Sequence, residues 1–178
     1  LIISNMVPSI PDYQKYSDNV LAPKLDPDVL EEIMKYEDLE DYSNPRYMEL
    51  LMNNYYTEHI IRLPVSEWPE PLNRSFKHIN HDVYVTMQGP SEFGVKGDAT
   101  LKYWDIKDEL NKIYVPTLSI GATYDTMDPN QMKFISDKVQ NGRFLLCPNG
   151  SHLSQFDDQE IYFEGLIKFI KDVDLGNF

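Results

Sequence analysis

The sequence predicts an α/β fold on a mostly parallel sheet, interrupted by an all-helical insertion. Three observations carry this. Residues 1–4 (LIIS) are an apolar, strand-like run. Residues 9–80 then read as one helix after another, with no strand pattern among them. From residue 116 onward, strand-like runs (PTLSIG at 116–121, RFLLC at 143–147) alternate with helical segments, the order that lays helices on the faces of a parallel sheet.

Taken in order, residues 9–21 place Ile10, Tyr13, Tyr16, Val20 and Leu21 at the spacing of a helix with one buried face. The stretch LDPDVLEEIMKYEDL carries a proline just inside its start and acids in its first turn, both favourable at the positive end of a helix dipole. Its inner positions are Leu30, Ile33, Met34 and Leu39. A turn at 41–44 leads to a third helix over 45–61, in which Tyr47, Leu50, Leu51, Asn54, Tyr55 and Glu58 recur at helical spacing. Pro64, Pro69 and Pro71 break the chain before a short fourth helix at 72–79. Residues 81–116 read as less regular, with Gly89, Gly94 and Gly97 marking a loop and a short helix at 104–110. A helix at 131–139 turns Met132, Phe134, Ile135 and Val139 inward, and a last one at 159–173 gathers Phe163, Leu166, Ile167, Phe169 and Ile170 on one side. The expected organisation is a sheet strand and turn at 1–8, a helical lid at 9–90 and the remainder of the core at 91–178.

Composition narrows the function. At 178 residues and 42% hydrophobic the chain can bury a core. Its net charge of -13 repels phosphate backbones and anionic lipid, which argues against nucleic acid and membrane surfaces as partners. No apolar run approaches the roughly 20 residues that span a bilayer, and LIISNM lacks the basic region and cleavage site of a signal peptide. The single cysteine, Cys147, suits a reducing compartment, so a cytoplasmic location is expected, although an export signal upstream of Leu1 would lie outside this sequence. The opening strand has no turn, cap or polar lead-in before it, and the chain is therefore expected to be part of a larger protein.

The chemistry concentrates between residues 116 and 152. ATYDTMDP delivers Asp125 after one strand, and PNGSH delivers His152 after the next. An acid and a histidine on turns after successive strands are the second and third members of a nucleophile–acid–histidine order. Asp125 can equally be a turn residue, and His152 a surface histidine in a Gly-Ser turn; Asp128 before Pro129 reads as a helix cap. No G-x-S-x-G elbow is present. Ser151 is better read as part of the turn presenting His152, and Cys147 as core rather than nucleophile. His78, His81 and Asp82 lack the spacing of a metal site, so neither metal nor cofactor is expected. The acids Glu31, Glu32, Glu37, Asp38, Glu40 and Asp41 read as a solvated face, and Tyr47, Tyr55, Tyr56 and Trp68 either line a pocket or fill the core of the helical block, chiefly the latter.

Four runs give the sequence a family resemblance: NPRYMELLMNNYYTEHIIRLP, HINHDVYVTMQGPSEF, VPTLSIGATYDTMDP and CPNGSHLSQFDDQEIYFEGLIKFIKD. Together they resemble the prolyl aminopeptidase (proline iminopeptidase) family of α/β hydrolases with a helical cap, in its cap and C-terminal part. The resemblance implies the acid role for Asp125 and the general base role for His152. It also implies that Glu92, in GPSEF, binds the free α-amino group of a substrate, with Tyr84 as a further pocket residue. Some relatives carry a second amino-binding glutamate directly after the acid, where this chain has Thr126, which leaves residues other than proline open. In the family the oxyanion-hole segment and the serine elbow precede the strand that residues 1–4 resemble.

The resulting expectation is a serine aminopeptidase releasing an N-terminal residue from peptides or amino-acid amides, with its nucleophile upstream of this chain and the missing N-terminal half present as an upstream stretch or a separate cleaved chain. The chain alone is expected to be inactive, with a sheet edge and an apolar face exposed. Two alternatives stand beside this: another cap-bearing ester or amide hydrolase, and a non-catalytic cap-type binding module.

Overall fold

The computed structural model describes all residues, 1–178. In chain order the elements are β1 (Ile2–Ser4), α1 (Ile10–Tyr16), α2 (Pro27–Asp38), α3 (Pro45–Leu51), α4 (Thr57–His59), α5 (Glu70–Lys77) and α6 (His81–Met87), then β2 (Thr117–Ala122), α7 (Pro129–Lys138), β3 (Gly142–Cys147), α8 (Ser154–Asp157) and α9 (Gln159–Asp174). The chain divides into two compact units, one of Leu1–Ser9 with Asp105–Phe178 and one of Ile10–Trp104. The helical unit thus runs on past residue 90, where the sequence had suggested its end. The reason is local: Val95 donates its backbone N–H to Gln14 of α1, and Ser17 donates to the carbonyl of Phe93.

In the first unit the three strands are all parallel, in the order β1-β2-β3. β2 lies between its neighbours and is buried along its whole length, which is why its sequence is a continuous small and apolar run rather than an alternating one. Leu118, Ile120 and Ala122 pack with Cys147 and Phe169 on one face, where Tyr162, Leu166 and Val173 of α9 join them. On the other face Gly121 meets α7 so closely that a Cβ there would stand 2.8 Å from Met132 Cγ. Asp128 caps α7 by accepting from the Asn130 N–H, with Pro129 in the first turn.

α9 differs from its expected inner face. Tyr162, Leu166, Phe169 and Val173 follow the helical period and meet the sheet, whereas Phe163, Ile167 and Ile170 lie on the flanking stripe and are exposed. The sequence showed that α9 is apolar over a wide arc, but only the sheet selects which part of it is covered.

In the helical unit, Tyr13, Leu21, Ile33, Tyr47, Leu51, Tyr55 and Ile61 are fully buried. Val20, Met34 and Leu39, read as inner positions, are exposed. α2 turns only Ile33 and Glu37, one helical turn apart, fully inward. Two π-helical turns, Ser17–Leu21 after α1 and Met52–Tyr56 between α3 and α4, widen these helices beside the loop holding Glu92: Ser17 bonds the Phe93 carbonyl, and the Tyr56 hydroxyl accepts from the Glu92 N–H. α6 escaped the sequence reading because HDVYVTM alternates like a strand and Val83, Val85 and Met87 are exposed; the available signal was Asn80, which caps it by accepting from the Val83 N–H. Residues 104–110 also differ from expectation, the helical turn there being a 3-10 segment at Lys107–Lys112.

Glu37 corrects the reading of the acidic run as a wholly solvated face. Its carboxylate pairs with Lys96 at 2.9 Å and accepts from the Tyr47 hydroxyl at 2.6 Å, and that hydroxyl also bonds Ser91 in the GPSEF loop at 3.0 Å. A buried charge whose partner is removed is costly, so Lys96→Met is expected to destabilise the protein by about 3–5 kcal/mol in urea unfolding. Adding Glu37→Gln should restore most of it, and a single-variant loss below about 1 kcal/mol would remove the pair's role.

Burial also holds the protons of Tyr13, Tyr47, Tyr56 and Tyr84 well above the usual phenol range; the Glu92 carboxylate is the next cause for Tyr13, Tyr56 and Tyr84, and the bond to Glu37 for Tyr47. Above about pH 10 the unfolded chain releases these protons while the folded one retains them. Stability is therefore untouched by them below that pH and falls above it, by up to about 1.4 kcal/mol per pH unit for each tyrosine. Alkaline titration should show their tyrosinate absorbance appearing together with loss of helical circular dichroism; a full rise near pH 10 with helicity intact would contradict this.

Candidate active site

The turns after β2 and β3 are joined by the Tyr124 N–H donating to the Gly150 carbonyl at 3.0 Å, and this sets Asp125 beside His152. Asp125 is fully buried, and its Oδ1 lies 2.9 Å from Nδ1 of His152, whose side chain retains 24% of its exposure. The same Oδ1 accepts from the Met127 N–H at 3.0 Å and the Thr126 hydroxyl at 3.3 Å. Oδ2 accepts from Nδ2 of Asn5 at 2.7 Å. The carboxylate is thus ringed by donors, and its bond to Nδ1 fixes the ring's orientation and directs proton exchange to Nε2.

The histidine turn is itself braced. Asp157 of α8 accepts from both the N–H and the hydroxyl of Ser151, at 3.1 and 2.5 Å, and Asp158 accepts from the Asn149 N–H at 3.0 Å. Ser151 is fully buried and its hydroxyl is committed to Asp157, so it serves the turn. Cys147 is buried at the end of β3, and burial pushes its thiol up to about 11, which leaves little thiolate at neutral pH.

In the helical unit the structure brings Glu92 and Tyr84 together. The Tyr84 hydroxyl donates to Oε1 of Glu92 at 2.5 Å, and Nε2 of Gln88 donates to Oε2 at 2.9 Å. The backbone of Glu92 is held as well: its N–H donates to the Tyr56 hydroxyl and its carbonyl accepts from the Tyr13 hydroxyl, both at 2.9 Å. Glu92 is half-buried. Its side chain offers negative charge on an aromatic, partly desolvated surface, a setting that suits an ammonium group.

The sequence singles out neither Asn5 nor Gln88, and it marks Tyr13 and Tyr56 as buried aromatics without their bonds to the Glu92 backbone. Gln88 stands four positions before Glu92, a spacing that offered some signal. Asn5 offered none, because only the pairing of β1 with β2 brings it to Asp125. No group of three or more His, Cys, Asp or Glu side chains is arranged to hold a metal ion, and no helix is long and apolar enough to cross a membrane.

No family model matches the chain. Among curated proteins it is 56% identical, over all 178 residues, to a proline iminopeptidase of Elizabethkingia meningoseptica, and covers 59% of that protein's length. Among solved structures, 97% of the chain superposes on 57% of VinJ with a TM-score of 0.87 and 29% identity. The whole chain superposes on 58% of a proline iminopeptidase of Mycobacterium smegmatis with a TM-score of 0.84; at 23% identity that likeness speaks for the fold. The parallel sheet with its helical insertion is the C-terminal portion of an α/β-hydrolase fold. Over the stretch it spans, a little under three-fifths of its relatives' length, the chain is a homologue of proline iminopeptidases at 49–56% identity, built on the α/β-hydrolase fold.

Proposed function

We propose that this chain supplies the acid, the general base and the amino-group anchor of a serine aminopeptidase that releases an N-terminal residue, proline or another, from peptides or amino-acid amides. The observation that carries the reading is the 2.9 Å contact between His152 Nδ1 and the buried Asp125. No serine here stands in a G-x-S-x-G elbow, so the nucleophile is assigned to the part of the relatives' length that the chain does not span.

In this mechanism Nε2 of His152 takes the proton of the serine hydroxyl as its oxygen attacks the scissile carbonyl. The resulting imidazolium gives that proton to the departing amine, leaving an acyl-serine. Water, deprotonated by the same nitrogen, then hydrolyses the ester. Asp125 keeps Nδ1 protonated and stabilises the imidazolium through both transfers. Glu92, fixed by Tyr84 and Gln88, pairs with the free α-ammonium group of the substrate, so a blocked N-terminus forfeits the contact and leaves the carboxylate unmatched. The Thr126 hydroxyl bonds Asp125 where a second carboxylate would add to amine binding, and this supports acceptance of residues other than proline.

In the complete protein, His152→Ala is expected to lower kcat for a prolyl arylamide by about 10⁴-fold, the scale set by loss of a triad member. Turnover within a factor of about ten of the parent would overturn the assignment. Glu92→Ala is expected to reduce kcat/KM for free-amine arylamides by about 10²-fold or more, as for a buried charge partner, while leaving simple acetate esters within about threefold. Equal losses on both substrates would remove the anchoring role.

A further inference from the structure

We propose that Asn5 is a positioning residue of the catalytic pair, holding the Asp125 carboxylate in the orientation from which it engages His152; this rests on the reading of that pair as acid and base. Asn5 is 6% exposed and sits just past the last residue of β1. Its Nδ2 donates to Oδ2 of Asp125 at 2.7 Å and to the Ser151 carbonyl at 3.3 Å. One amide group therefore bridges the acid turn and the histidine turn. Its own Oδ1 accepts from the Ser4 hydroxyl at 2.7 Å and the Ser154 hydroxyl at 3.4 Å, which settles which end of the amide faces Asp125.

The backbone is committed to the same purpose. Asn5 has φ of 52°, a left-handed conformation that asparagine tolerates better than most residues, and its N–H extends the β1–β2 ladder by donating to the Ile120 carbonyl at 2.9 Å. The ladder fixes the backbone, the left-handed turn aims the side chain, and the amide reaches the one carboxylate oxygen that His152 does not use.

Asn5 is also chemically suited to this position. Oδ1 of Asp125 already takes His152, Met127 and Thr126, so Oδ2 is the oxygen that needs a donor. A lysine or arginine there would compete with the imidazolium for the carboxylate's charge; a neutral amide holds the carboxylate without cancelling it. Other titratable groups around the two turns are Tyr124, next to Asp125 and joined to Gly150, Asp128, which caps α7, Asp157 and Asp158, braced against Ser151 and Asn149, Cys147 at the end of β3, and Tyr162 of α9, whose hydroxyl donates to Ser4.

The test uses two variants of the complete enzyme, with prolyl and alanyl arylamides as substrates. Asn5→Gly keeps the left-handed backbone without strain and removes the amide; Asn5→Asp keeps the shape and replaces the donor by a second carboxylate. Each should lower kcat by roughly 10- to 100-fold with KM changed less than about threefold, the range that loss of a supporting hydrogen bond takes from a fixed functional group. In both, the carboxylate charge facing His152 is less compensated or is increased. The imidazolium is therefore favoured, and the acid limb of the kcat/KM profile should move to higher pH by about half a unit or more. Folded Asn5→Gly and Asn5→Asp enzymes with an unmoved acid limb, and with kcat lost only in proportion to unfolded protein, would overturn the proposal while His152→Ala still inactivates. If His152→Ala retains parental turnover, the catalytic reading falls and the role of Asn5 with it.

Discussion

A carboxylate sealed from water must be met by donors, and Asp125 is met from three separate places in the chain. Asn5 arrives at the end of β1, Met127 and Thr126 belong to the turn after β2, and His152 comes from the turn after β3. Because the three strands are parallel, these positions all lie past their C-terminal ends and at one edge of the sheet. The burial of β2, the tight seating of Gly121 against α7 and the bond from Tyr124 to Gly150 all bear on the same point. Loosening any of them would expose the carboxylate or move it from the imidazole.

The helical unit is organised by a similar requirement. Glu37 is buried on α2 and satisfied by Lys96 and Tyr47, and Tyr47 in turn holds Ser91. Ser91 lies within the GPSEF loop and Lys96 just after it, so the Glu37 network anchors the loop while Tyr13 and Tyr56 hold the backbone of Glu92. Glu92 is left with its two carboxylate oxygens occupied by Tyr84 and Gln88, both neutral donors. Neutral donors fix a carboxylate without neutralising it, which leaves its charge free for the ammonium group of the proposed substrate. Asn5 stands in the same relation to Asp125.

The two carboxylates thus share a design and differ in burial. Asp125 is fully enclosed and its one charged partner is the imidazole when protonated, whereas Glu92 is half-buried and keeps an open side. In the proposed mechanism, enclosure suits a group that must stay ionised and still through a proton transfer, and partial exposure suits one that must admit and release a ligand.

Much of this was legible in the residues. The strand runs, the proline and acid signals at helix starts, and the positions of Asp125, His152 and Glu92 all follow from local pattern and from the family likeness of GPSEF, YDTMDP and GSHL. Local pattern suffices there because caps, turns and the period of a helix involve residues close in sequence. What it did not reveal depends on distant pairing. Asn5 meets Asp125 only because β1 lies beside β2; Glu37 is buried only because Lys96 returns to it; and Phe163, Ile167 and Ile170 are exposed because the sheet covers the adjacent stripe of α9. The sequence by itself determined where Asp125, His152 and Glu92 stand and which elements present them. Tertiary structure alone decided which neutral groups hold those side chains in place, since a donor's value depends on its distance from a buried charge and not on its place in the chain.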